Sequence, residues 1–179
     1  MKWRDNSLSL ARKLNYDPNI LNKTKVKTLW DTINPDNLPS TLSGNPILFG
    51  FCRYGPTHCL VEVPEINIST YSREERTRVL GPMLKAIGVK ETDIEKIRRT
   101  LEEVSNSQFY EIFNQSGVDH ELMGHAYHFF ADHPYGETAA VETQIRFAEE
   151  RAKNDPSWKT ILGVMPKVLG HLKGIEKLK

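Results

Sequence analysis

Apolar and polar positions change their period along this chain, and the changes divide it into three stretches. Residues 1–45 are polar and broken by YDPN, INPDNLPS and LSGNP. Proline and Asn/Asp at that density predict turns around short helices, with KVKTLWDTI as one such helix. In residues 46–68, NPILFGFCRY and HCLVEVPEINI are rich in aromatic and β-branched residues and flank Gly55-Pro56. They predict a β-hairpin. Pro64 in the second run makes it an edge strand, because proline cannot donate to a ladder.

From residue 72 to residue 175 the period is helical. Ser72 with Glu75, and Thr92 with Glu95, have the spacing of capping boxes. The first would open a helix broken at Gly81-Pro82 and stopped near Gly88. The second would open one whose apolar positions are Ile94, Ile97, Leu101 and Val104. SQFYEIFNQ predicts a third helix ending near Gly117, and Asp119 would cap a fourth from His120 to about Ala131. Asp132-His133-Pro134-Tyr135-Gly136 is a break. GETAAVETQIRFAEERAKND then predicts a helix closed by Asp155-Pro156, followed by a glycine-interrupted helical segment to the lysine-rich end. Phe129, Phe130, Ile145 and Phe147 are expected in the core. The expected fold class is therefore α+β: one domain over residues 1–179, mostly helical, with a small antiparallel hairpin or sheet.

Composition narrows the function classes. The chain has 179 residues, 39% hydrophobic and 26% charged, with a formal charge of +1. That length suits one core, and a near-zero charge gives no field to draw in nucleic acid or a membrane surface. No window approaches the roughly 18 apolar residues that cross a bilayer. The first residues show no apolar run like that of a signal peptide, so a cytoplasmic location is expected. Cys52 and Cys59 lie in the hairpin region. They are expected as free thiols, with a disulfide as the first alternative if they face one another and a metal role beside His58 as the second. Two cysteines and one histidine fall short of the four ligands of a structural zinc site.

The chemistry concentrates in VDHELMGHAYHFFADHPYGETAAVE. His120, Glu121 and His125 fall within six residues, with His128 and His133 close behind. A catalytic zinc takes three protein ligands and one open position. Histidines four apart on an α-helix lie about 40° apart around its axis and can grip one ion, whereas five apart they lie about 140° apart. Chelation by His120 and His125 therefore requires a local π-type bulge, which absorbs one residue per turn. Gly124 is the residue type that would tolerate the distortion. On an unbulged helix, Glu121, His125 and His128 would instead share a face as a second ligand set. Tyr127, Tyr135 and Arg146 are candidate donors to a developing oxyanion.

His120-Glu121-Leu122-Met123-Gly124-His125 resembles the H-E-x-x-G-H signature of dipeptidyl peptidase III and its relatives, at every specified position. The resemblance spans these six residues of a chain much shorter than those enzymes. It implies a zincin-like pair of active-site helices, Zn2+ as cofactor, His120 and His125 as ligands, and Glu121 as the base that activates water. In zinc peptidases whose third ligand is glutamate, that residue often begins an E-x-x-A pattern on the following helix. Glu137-Thr138-Ala139-Ala140 fits, and Glu142 is the alternative third ligand. Without the histidine motif, both glutamates would be ordinary first-turn acids favoured by the helix dipole.

Three functions follow. The first is a zinc metallopeptidase acting on a peptide or protein, with no nucleic-acid or membrane partner. Its substrate would add as a strand to the hairpin edge near Cys59–Ile66. The second is a helical-bundle iron or manganese protein, whose Glu-x-x-His motif is absent here. The third is a non-catalytic metal-binding or peptidase-like binding protein.

Overall fold

The computed structural model describes residues 2–28, 51–55, 59–63, 81, 84–85, 89–102 and 104–178. The Ser72/Glu75 cap, the Gly81-Pro82 break, the Gly88 stop, Pro64 and His58 involve positions outside them.

Helix α1, Lys2–Lys13, turns Ser7, Leu8, Leu10 and Ala11 inward. It ends where Asn15 takes a left-handed conformation (φ 62°), which asparagine accepts at a helix end. A single turn, α2 (Pro18–Leu21), leads into strand β1, Thr24–Thr28. Strands β2 (Phe51–Tyr54) and β3 (Cys59–Val63) complete a small sheet of order β1-β3-β2. β3 pairs antiparallel with β2 and parallel with β1.

The helices that follow are α3 (Glu91–Glu102), α4 (Asn106–Val118), a π-helical stretch (Asp119–Ala126), α5 (Tyr127–Phe130), α6 (Glu137–Ala152) and α7 (Lys159–Glu176). A 3-10 turn, Pro156–Trp158, precedes α7 and is capped by Asp155, whose side chain accepts from the Ser157 amide.

Several expectations are corrected. The α+β class with a small antiparallel hairpin gives way to a mostly helical molecule. Its β structure is a short mixed sheet, because Thr24–Thr28 adds in parallel on the far side of β3. The start of KVKTLWDTI is thus strand, not helix: a five-residue β1 gains backbone partners that a helix of that length would lack. β3 is central and both its sides are paired, so it cannot serve as a substrate-pairing edge. The register sets Cys52 opposite Val61 and Cys59 opposite Tyr54, so the two cysteines are not cross-strand partners. Thr92 lies inside α3 and does not cap it. The fully formed capping box is at Ser105 and Gln108, where side chain and backbone satisfy each other reciprocally. From there the helix runs unbroken through Gly117, and Asp119 is a buried residue that continues the helical path and does not N-cap a new helix.

Two apolar clusters hold these elements. Ile97, Phe109, Phe113, Trp158, Ile161 and Met165 join α3, α4 and α7 against one side of α6. Leu8, Ala11, Val61, Leu122, Met123 and Phe147 join α1, the sheet and the π-helical stretch to the other. Every residue of Asp119–Ala126 is buried, so the motif helix is the central rod of the molecule. Of the expected core residues, Phe147 is fully buried, while Ile145 and Phe130 pack at the margins of the clusters. No described helix is long and apolar enough to cross a membrane.

Candidate metal centre

Five-residue spacing defeats an α-helix but suits a π-helix, in which each amide bonds the carbonyl five residues back. The Tyr127 N–H bonds the Leu122 carbonyl in that way, closing the stretch Asp119–Ala126. His120 and His125 are thereby one turn apart on one face. Their rings lie 4.9 Å apart, centroid to centroid, at 75°.

The π-helical stretch packs antiparallel to α6, so that Asp119 meets Arg151 while Gly124 meets Ala140. The approach at Gly124 is very close. A Cβ there would stand 2.5 Å from the Ala140 Cα and 2.8 Å from its Cβ. Gly124 is therefore needed for this contact between backbones, and its helical backbone shows no positive φ. Where a positive φ does occur is Gly136, at +147°, as the chain turns into α6. That turn places Glu137 at the first residue of the helix, facing the two histidines.

Glu137 bridges them. One carboxylate oxygen is 3.5 Å from His120 Nε2 and the other 3.4 Å from His125 Nε2. Direct charge-assisted hydrogen bonds are usually nearer 2.7–2.9 Å. Two donors held about 2.1 Å from a tetrahedral zinc ion stand about 3.4 Å apart. The separations are longer than those of tight ion pairs and of the order expected between neighbouring ligand atoms of one ion. The histidine side chains are 10% exposed and that of Glu137 is 61% exposed, so the open side of the cluster is at the glutamate.

Glu121 is 3% exposed. It can contribute a ligand-type atom that, with one from each histidine, forms a group within 4.8 Å. Its Oε2 has no hydrogen-bond partner among the described residues, although a buried carboxylate oxygen ordinarily has one. An acceptor is therefore held ready beside the histidines.

The charges of these groups are interlocked. The neighbouring imidazoles of His120 and His125 hold the Glu137 carboxyl well below the usual carboxylate range. Burial works against a charged His120, but Glu137 and Glu121 outweigh it and raise its pKa above the ordinary imidazole value. Burial pushes the Glu121 carboxyl up, against the pull of the two histidines.

The remaining candidates lie apart from this cluster. Glu142 is exposed and pairs with Lys173 at 2.6 Å. The set Glu121, His125 and His128 does not form, because both ring nitrogens of His128 are engaged. Its Nδ1 lies 3.1 Å from the Pro134 carbonyl and its Nε2 3.3 Å from the Thr143 hydroxyl. Tyr127 is a core residue whose hydroxyl accepts from the Asp17 amide at 3.1 Å. Arg146 lies over the Tyr16 ring and reaches the Leu14 carbonyl. It is nine residues beyond Glu137, about 13 Å along α6. Tyr135 is 58% exposed and meets the edge of Phe129 in the turn before Glu137.

Other residues build the site without having stood out in the sequence. Gln144 is buried, and its Oε1 lies 3.2 Å from His120 Nδ1. Asp119 is gripped by Arg151 through two bonds, at 3.0 and 3.2 Å, and accepts from Ser7 of α1 at 2.6 Å. The signal available in the sequence was the stripe Glu137, Ala140 and Gln144, one face of α6 at helical spacing.

No family model, curated protein or solved structure matches this chain.

Proposed function

We propose that this protein is a zinc-dependent metallopeptidase, with His120, His125 and Glu137 as the ligands and Glu121 as the general base. The observation that supports the reading is the convergence of both imidazole Nε2 atoms on the two oxygens of one carboxylate, 3.5 and 3.4 Å away. Zinc bound there would supply a Lewis acid and lower the pKa of water towards neutral.

The chain's own part follows from the geometry. The carboxylate of Glu121 is buried, with one oxygen unpartnered among the described residues. It accepts the proton of the attacking water at that oxygen and returns it to the amine that leaves. Glu137 keeps its charge even in acid and holds the outer side of the cluster. The substrate is a peptide or protein, and a cytoplasmic setting belongs to the same proposal.

A di-iron or di-manganese bundle would need carboxylate–histidine ligands for two ions. The described residues bring together one such His/Glu group.

Elemental analysis and a peptide-library assay test the reading. The wild type should hold about one zinc per chain and His125→Ala almost none. Glu121→Gln should keep the zinc while losing a factor of roughly 10²–10⁴ in turnover. Zinc retained by His125→Ala would refute the ligand assignment. A zinc-loaded wild type that cleaves no peptide would instead favour a non-catalytic binding protein.

A further inference from the structure

The ring of His120 is held from behind by a chain of neutral groups. The amide nitrogen of Gln144 donates to the Ser116 hydroxyl at 2.6 Å and to the Ser116 carbonyl at 3.3 Å. A carbonyl can only accept, so this end of the amide is the NH2 group. The other end, Oε1, is an acceptor and faces His120 Nδ1 at 3.2 Å. Nδ1 must therefore carry a proton to complete the bond. In the neutral ring that leaves Nε2, the atom turned towards Glu137, with a free lone pair.

We propose that Gln144, anchored by Ser116, is a positioning residue that fixes His120 in the Nδ1–H tautomer and so presents Nε2 as a metal ligand. Histidine ligands are commonly oriented by a carboxylate or a backbone carbonyl bonded to the second ring nitrogen. Here a side-chain amide has that place and adds no charge to a buried site that already holds Glu121. Gln144 lies seven residues beyond Glu137 on α6, so one helix face supplies both the third ligand and the group that orients the first. Behind Gln144 and Ser116 the space is lined chiefly by apolar side chains, among them Phe109, Phe113, Ile161 and Met165. Little there can replace the amide if it is lost.

The metal half of this inference rests on the zinc reading, whereas the tautomer half does not. The test uses three proteins: wild type, Gln144→Leu and Ser116→Ala. Nitrogen-15 NMR of the imidazoles in metal-free protein, followed upwards in pH until the His120 ring is neutral, reports the tautomer. The wild type should show His120 protonated at Nδ1, and Gln144→Leu should shift it towards Nε2–H, which Glu137 would accept. Competition with a chromogenic chelator should show zinc affinity falling tenfold to a hundredfold in Gln144→Leu and by a smaller factor in Ser116→Ala.

Unchanged tautomer and affinity in a folded Gln144→Leu would overturn the proposal. If that variant does not fold, Ser116→Ala decides, and wild-type tautomer and affinity there would overturn it equally. A wild type that binds no zinc would remove the peptidase reading, and the His120 tautomer would still settle the role of Gln144.

Discussion

His128 shows how little a residue type says by itself. It sits three residues past a candidate ligand, yet its nitrogens are taken by the Pro134 carbonyl and the Thr143 hydroxyl. The carbonyl requires a proton on Nδ1, and in the neutral ring Nε2 then accepts from the Thr143 hydroxyl. Burial depresses its pKa, with the bond to Pro134 pulling the other way. Because the native state holds this proton less tightly than the unfolded chain, stability is intact above the ordinary imidazole value. It declines as the pH falls from there towards the folded value. An NMR titration should place the His128 pKa below about 6.5, with Nδ1 protonated in the neutral form. A value above that would contradict the bonding pattern. Tyr127 makes the same point, since the sequence offered a phenol for catalysis and the fold spends its hydroxyl on a backbone amide.

Among the elements, the π-helical stretch and α6 act as a unit whose spacing is set at Gly124. The extra residue between the histidines was legible in HELMGH, as was the need for a bulge to accommodate it. The extent of that bulge was not. It spans Asp119–Ala126 and is embedded in one long helix instead of opening a new one. The reason for the glycine also differs from local tolerance, because the Ala140 backbone occupies the space a Cβ would need. Gly124→Ala should therefore push α6 outwards, cost about 2–3 kcal/mol and carry Glu137 away from the histidines. Urea unfolding would measure the first effect and zinc content the second. Ala140→Gly in the same protein should restore only part of the loss, since the Ala140 Cα and carbonyl remain within 3.0 Å of the new atom. Wild-type stability and zinc content in Gly124→Ala would show that the approach is not tight.

Across the whole molecule, the motif helix is fixed by a polar clamp at its entry. Asp119 is 1% exposed and takes bonds from Ser7 of α1, Gln115 of α4 and Arg151 of α6. Arg151 in turn stacks on Trp158 at 5.0 Å. Burial raises the pKa of this aspartate while Arg151 opposes the rise, so removing the arginine strands a buried carboxylate. Arg151→Met should cost about 3–5 kcal/mol, as broken buried pairs do, with thermal or denaturant unfolding as the measure. Asp119→Asn together with Arg151→Met should recover much of that loss because no uncompensated charge is left. A single variant as stable as the wild type would mean that the clamp does not hold the fold.

By itself, the sequence singled out the His120, Glu121 and His125 cluster and the helical character of the second half. Both are local properties, set by periodicity, capping residues and motif spacing. It also put forward Glu137 and Glu142 as candidates for a third ligand. Only the tertiary structure showed that Glu137 stands beside the two histidines while Glu142 pairs with Lys173. It showed β1 joining β3 in parallel, Gly117 continuing a helix, and Gln144 standing behind His120. These are contacts between positions far apart in the chain. They depend on how the elements pack, which no local pattern of residues encodes.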